Sequence, residues 1–446
     1  MSRRLLARLA PPCAALTVIV LAIVAIAPRL VSATPSTTSA NPAPRFTTQT
    51  RLGFAAGDDW EPSVATDRYG HVYLLYKHYD VAGQTTCPMC DQHLLLQTSS
   101  DNGKTWGAPR PIDPEVTKGG QFDPQIVVDS VDGRTVWASF LQNSKSSIAV
   151  MKSSDFGATW SGPVIVENLQ RATDKDELAA HGQTIAVAFN AVQKIYAAVS
   201  HDGGVTWTTA LISDGSNQLG WSLGGGAGID SHGNIFLGFA GYTQNGGAKG
   251  PVNLFVAASY DGGVSWNLTL AGVSGAPYPC SDCGFAFLGA QLTLAVSGDD
   301  SVNLLWNSTP DQTNYAPERI YFARSTDGGH SYSARQDVSL AAPGVEHGFP
   351  GITTGGAGDV RIGWMDMRTS AWNLYYRSSA NGGASWSGET RISGYVPGYS
   401  YLTSAGYGLP YGDYFQMAVD STGATQIGWG ESGSYAGPGN IWTSHD

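Results

Sequence analysis

The sequence predicts an all-β fold: a seven-bladed β-propeller closed by its N-terminal strand, with six blades the alternative if one strand pair is misread. Three observations predict it. A pattern, Ser-x-Asp-x-Gly-x-x-Trp, recurs six times. Seven strand–turn–strand units are spread among these copies. The first strand-like stretch after the leader resembles the strand that the last unit lacks.

The copies are SSDNGKTW (99–106), SSDFGATW (153–160), SHDGGVTW (200–207), SYDGGVSW (259–266), STDGGHSY (325–332) and SANGGASW (379–386), separated by 47 to 66 residues. The last two depart from the pattern at Tyr332 and Asn381. Asp or Asn folds back on backbone N–H groups two residues on, Gly takes the positive φ of a tight turn, and the aromatic ring packs on that turn. Each copy therefore reads as the clasp of a hairpin between the third and fourth strands of a blade. The strand pairs start near Glu61, Phe122, Asp176, Gly224, Gln291, Gly348 and Asp413. The seventh unit supplies three strands (YFQMAVD, TQIGWGE, NIWTSHD) and ends at the Asp of an unfinished box. FTTQTRLG (46–53) resembles the sixth outer strand, SGETRISG (387–394), so the N-terminal strand is expected to complete the last blade and remove an open edge.

Composition agrees with this fold. Charged residues are 14% of the chain and there are 56 glycines, a profile of short strands and tight turns. Residues 1–33 read as an export leader: Arg3, Arg4 and Arg8 precede an apolar run from Leu9 to Ala27, and Val31-Ser32-Ala33 offers a cleavage site. The same run is long enough to stay as a membrane anchor. Residues 34–45 read as a flexible linker and 46–446 as the propeller. Without the leader, 21 basic side chains face 36 acidic ones, which disfavours nucleic acid as a partner. A secreted or extracytoplasmic monomer is expected, touching membrane only through such an anchor.

The loops expected opposite the clasps hold acids and aromatics: Asp58, Asp59, Trp60 and Glu61; Phe122 and Asp123; Asp174 to Glu177; Trp221; Glu346 and His347; and Tyr411, Asp413 and Tyr414. His78, Asp366 and Arg368 stand at strand ends on the same face. Aromatic platforms with hydrogen-bonding acids suit sugars, and carboxylate clusters also suit cations. Acids that merely cap turns are the plain alternative.

Cys87 and Cys90 (CPMC) and Cys280 and Cys283 (CSDC) lie in two loops of that face. In an exported protein disulfides are the first reading, and a Zn or Cu site the second. No cofactor is otherwise required.

The clasps resemble the Asp boxes, or BNR repeats, of the sialidase superfamily. EPSVATDRYGHVYLLY, HGFPGITTGGAGDVRIGWMDMR and YGDYFQMAVDSTGATQIGW are similar to repeat cores of bacterial secreted sialidase-like proteins. The resemblance covers about residues 46–446. It implies three arginines gripping a substrate carboxylate, a Tyr nucleophile with a Glu partner, and an Asp acid/base. Here the Phe-Arg-Ile-Pro motif is replaced by Trp60-Glu61-Pro62-Ser63, and Arg368 alone stands well placed, with Arg171 and Arg319 behind it. The catalytic set implied is Asp123, Glu177, Arg368 and Tyr411, with Tyr414 and Glu346 as alternates. Asp59, Trp60, Glu346, His347, Asp413 and Tyr414 are the expected ligand contacts. Three functions stay open: recognition or processing of glycans, a metal-bearing extracytoplasmic protein, and a scaffold without chemistry.

Overall fold

A computed structural model describes residues 43–53, 57–80, 92–113, 120–143, 145–169, 173–191, 193–216, 218–278 and 289–446. The leader, the linker up to residue 42, Arg171 and the four loop cysteines lie outside the described residues.

Seven antiparallel sheets form the blades of the propeller. Their first strands are Asp58–Thr66, Phe122–Val128, Asp174–His181, Ser222–Ile229, Leu292–Val296, His347–Thr354 and Gln416–Val419. All seven contribute to the lining of a central channel of about 340 Å³. The seventh sheet is completed by Thr50–Leu52, which pairs with Gly439–His445 in the register Thr50↔Thr443, Arg51↔Trp442 and Leu52↔Ile441. Thr47 extends the join, donating its N–H to the His445 carbonyl at 2.8 Å. The packed chain also begins before the expected boundary at Phe46, since the Pro44 carbonyl accepts a hydrogen bond from Thr390 Oγ1 at 2.8 Å.

The core is distributed rather than central. Each seam between neighbouring blades holds its own apolar cluster. Tyr73, Leu94 and Phe140 fill the first seam, for example, and Leu52, Leu74 and Ile441 the seam across the closure. A strand in such a fold buries both faces, which explains continuous apolar runs such as VYLLYKHY (72–79), buried at every residue.

The boxes are clasps, with a geometry that differs from the expected turn. In the first, Asp101 Oδ1 accepts from the N–H of Thr105, four residues on, at 2.8 Å, and Oδ2 accepts from Thr105 Oγ1 at 2.7 Å. Ser99 Oγ donates to Asp101 and accepts from the Gly103 N–H. Trp106 Nε1 donates to the Gly103 carbonyl at 3.1 Å. These bonds favour the charged carboxylate and hold Asp101 down to about 2. The two-residue reach belongs to other aspartates, Asp67 and Asp420, in the turns between first and second strands; each accepts from the second and fourth N–H beyond it. The box serine and these turn aspartates carry as much of the local structure as the box aspartate itself.

Candidate functional site

Most first strands kink where they enter the ring. Their pairing with the second strand slips at Trp60/Ser63, Phe122/Gln125, Asp174/Glu177, Gly224/Ala227 and Gly348/Gly351. Such bulges re-aim side chains and recur beside active sites. At four of them a non-glycine residue sits at positive φ: Glu61 (54°), Asp123 (49°), Lys175 (46°) and Phe349 (54°). That conformation costs about 1–3 kcal/mol per residue and persists only where surrounding contacts hold it. In blade 4 the equivalent stretch is Gly224-Gly225-Gly226. A Cβ on Gly225 would lie 1.6 Å from the Leu292 carbonyl oxygen, so glycine alone allows blades 4 and 5 to approach this closely. Blade 7 has a different device. Leu409–Pro410 and Gln416–Val419 both pair with Thr425–Ser432, and residues 412–415 leave the sheet between them.

These kinks bring charges from blades 1, 2, 3 and 7 together. Lys175 Nζ lies 2.6 Å from Asp413 Oδ2, 3.5 Å from Glu61 Oε1 and 3.8 Å from Asp123 Oδ2. Lys145 Nζ lies 2.8 Å from Asp174 Oδ1 and 4.0 Å from Asp123 Oδ2. Burial pushes the Asp123 carboxyl up, but Lys145 and Lys175, with the Lys175 N–H, outweigh it and hold Asp123 below the usual carboxylate range. Glu61 goes the other way: burial, reinforced by Asp123 and Asp413, raises it well above that range despite Lys175. Burial would lower Lys175, yet Asp123, Asp413 and Glu61 keep it charged.

Over this cluster lies a cavity of about 60 Å³ at the mouth of the channel. Lys175, Glu177, Asp413, Tyr414, Gln125 and Gln291 line its polar side. Glu177 is only partly buried yet is pushed up to about 8, chiefly by desolvation, against a hydrogen bond from the Gly226 N–H. Gln291 Nε2 donates to the Asp413 carbonyl at 2.8 Å, and the Tyr414 hydroxyl to the Pro124 carbonyl at 3.2 Å. The loop carrying Asp413 and Tyr414 is thereby tied to blades 2 and 5. A carboxyl kept protonated and a carboxylate paired with lysine thus face one cavity, the arrangement that acid/base chemistry needs.

The expected site residues divide into a group at the cavity and several that go elsewhere. Glu177, Asp413 and Tyr414 line it, and Asp123 lies beneath as the counter-charge of both lysines. Tyr411 and Trp60 are buried in a small aromatic cluster with Tyr79, so neither offers the ring face expected of a sugar platform. The Tyr411 hydroxyl donates to Asp58 Oδ2 at 3.0 Å and joins blade 7 to blade 1. Asp59 turns to His78, 2.6 Å away. His347 is buried in the seam of blades 5 and 6, lowered to about 4 by desolvation; neutral, it donates from Nδ1 to the Glu318 and Val345 carbonyls and accepts the Ser339 hydroxyl at Nε2. Glu346 Oε1 accepts from the Glu318 N–H in the same seam. Arg368 is gripped by Asp366, at 2.6 Å, and by Glu389, and its guanidinium lies over the Tyr375 ring. Arg319 is held by Asp337 and by carbonyls of residues 339, 341 and 342. Neither arginine lines the cavity.

Lys175 and Glu61 were named on this face without an assigned role, and Gln125 and Gln291 were not named on it. A signal for the first two existed: Trp-Glu-Pro-Ser (60–63), Phe-Asp-Pro-Gln (122–125) and Asp-Lys-Asp-Glu (174–177) are register-equivalent, so Glu61, Asp123 and Lys175 belong to one ring of residues.

No curated protein matches this sequence. Among solved structures, the chain is similar to a protein of unknown function from Dyadobacter fermentans, at 13% identity and TM-score 0.52 over 90% of this chain and 98% of that one. It is similar also to a polysaccharide lyase, an ulvan lyase bound to -[GlcA(1-4)Rha3S]-, at 10% identity and TM-score 0.54 over 88% of this chain and 95% of that one. A Hadza microbial sialidase aligns at 13% identity and TM-score 0.43 over 86% of this chain and 65% of that one. The first two likenesses are ones of fold. The model of the BNR repeat-like domain matches residues 43–280, more than half of the chain, and the protein belongs to that family.

Proposed function

We propose that this protein is an exported enzyme that cleaves glycosidic bonds in neutral glycans at the mouth of the propeller channel. One observation carries the reading: Glu177, raised to about 8, and the lysine-paired Asp413 line the same cavity. Glu177 is the general acid that delivers a proton to the leaving glycosidic oxygen. Asp413 is the base that takes a proton from the attacking water, whose oxygen bonds to the anomeric carbon as the old bond breaks. Tyr414, Gln125 and Gln291 orient sugar hydroxyls. The channel and cavity together reach the volume range of ligand sites. Lys175 is the sole cation among the described lining residues and is already paired with Asp413 and Asp123, which supports a neutral sugar over an anionic one. Export is supported by the leader read from the sequence.

The test is turnover of a panel of neutral oligosaccharides and aryl glycosides by the wild-type chain, Glu177→Gln and Asp413→Asn. General acid–base catalysis is worth about 10²–10⁴-fold, and each variant is expected to lose about that much of kcat. The acid must hold its proton, so activity should fall as pH rises through about 8. Full activity of Glu177→Gln on a substrate the wild type cleaves would refute the assignment. Cleavage confined to uronate or sialic acid glycosides would refute the neutral-sugar reading.

A further inference from the structure

A second cluster of ligating groups lies in blade 1, outside the cavity. Its origin is the sheet register. Asp59 on the first strand is opposite His78 on the second, and His78 is opposite His93 on the third. Directly paired residues share one face of a sheet, so the three side chains form a row across it. Asp80, two residues beyond His78, returns to the same side by the two-residue period of an extended chain. His78 is buried, with Nδ1 2.6 Å from Asp59 Oδ1 and Nε2 3.1 Å from Asp80 Oδ1. The His78 and His93 rings are 5.3 Å apart between centroids. One donor atom each from His78, Asp80 and His93 lie within 4.8 Å of one another. A tetrahedral ion bonded at about 2.1 Å holds its ligands about 3.4 Å apart, so small rotations of His93 and the half-exposed Asp80 suffice to close on one.

We propose that His78, Asp80 and His93 form a binding site for a first-row divalent transition metal such as Zn²⁺, with a coordination position left for water or another ligand. The donor set is two imidazoles and one carboxylate, suited to borderline cations rather than to Mg²⁺ or Ca²⁺. Asp59 completes the arrangement by fixing the His78 ring through Nδ1, so that Nε2 faces the metal. This carboxylate–imidazole–metal relay is what orients a ligating histidine. Asp59 also lies 3.9 Å from Arg51 of the closing strand, which places the site beside the join of the ring. A metal here would brace the end of blade 1 nearest the closure, and binding would raise the melting temperature.

The test uses the full chain, freed of metal by a chelator and titrated with ZnCl₂ alone. Bound zinc is counted by elemental analysis, affinity by calorimetry, and stabilisation by thermal melting. One tightly bound zinc is expected in the wild type. His93→Ala and Asp80→Asn, at a half-buried and an exposed position, should each weaken it by at least about tenfold and abolish its effect on melting, while the metal-free melting temperature of Asp80→Asn matches that of the wild type. A wild-type chain that takes up no zinc, or variants that both keep it with unchanged affinity, would overturn the proposal.

Discussion

Glu177 shows how one residue links stability to function. Its folded value of about 8 exceeds the ordinary 4.5, because desolvation penalises the charged form. Between those two pH values the folded chain holds a proton that the unfolded chain releases, so stability falls as pH rises through that window. The side chain lines an open cavity, so the effect is expected on the order of 1–2 kcal/mol, below the ceiling set by the whole shift. Glu177→Gln has no proton to lose. Its melting temperature should drop less between pH 5 and pH 9 than that of the wild type, although Glu431, also raised to about 8 by burial, still contributes. Parallel losses in the two proteins would mean that Glu177 is not held neutral. The variant thus separates two consequences of one environment: the proposed role in turnover and the expected gain in alkaline stability.

At the scale of the element, the six boxes are copies with unequal closure. In the first four, the tryptophan Nε1 donates at 3.1 Å to the carbonyl of the glycine three residues before it. Trp386 in the sixth donates instead to Gln336 Oε1 at 3.2 Å. Tyr332 in the fifth cannot make that bond, and its hydroxyl is buried without a hydrogen-bond partner among the described residues. A buried unpaired hydroxyl costs free energy, whereas a formed hydrogen bond contributes about 1 kcal/mol. Tyr332→Trp is therefore expected to stabilise the protein by about 1 kcal/mol, with Nε1 reaching the Gly329 carbonyl, as a rise in denaturant midpoint. A midpoint lowered by the larger ring would show that the Tyr332 pocket has closed around tyrosine. The kinks of the first strands illustrate the opposite use of an element. There the ladder is broken, and strain is accepted at Glu61, Asp123 and Lys175, so that side chains reach the channel mouth.

For the whole molecule, the decisive element is the closure. Thr50–Leu52 gives the last blade its outer strand, while Thr47 and Ser444 bond side chain and backbone across the join. Leu52 and Ile441 sit in the seam shared by blades 7 and 1. Removing residues 43–53 would expose that seam and the backbone edge of Gly439–His445 together. Its expected result is a large loss of melting temperature and a tendency to associate through the open edge. Moving those residues to the C-terminus, after a short linker, should restore most of the stability, since a turn after His445 keeps Thr50–Leu52 antiparallel to Gly439–His445. Failure of that rearrangement would place the effect of the deletion outside the ring closure.

The repeats were legible because their physics is local. A Ser-x-Asp-x-Gly-x-x-Trp turn closes on its own hydrogen bonds, and blade number and closure followed from counting such units and finding one strand displaced to the other end. The carboxyls at the mouth were partly legible: Asp123, Glu177, Asp413 and Tyr414 could be named from loop position. Their grouping was not, because it depends on bulges at Glu61, Asp123 and Lys175 that bring side chains from blades 1, 2, 3 and 7 together across up to 352 residues of chain, the separation of Glu61 and Asp413. Nor could the sequence separate an aromatic that faces solvent from one that fills a seam, and so Trp60 read as a ligand contact and Tyr411 as a nucleophile. By itself, then, the sequence determined the clasps, through hydrogen bonds within a few residues, and the blades and joined ends, through the count and spacing of repeated units. Only the tertiary structure decided which acids meet which lysines and which carboxyl stays protonated, because desolvation and Coulomb interaction depend on distance through space.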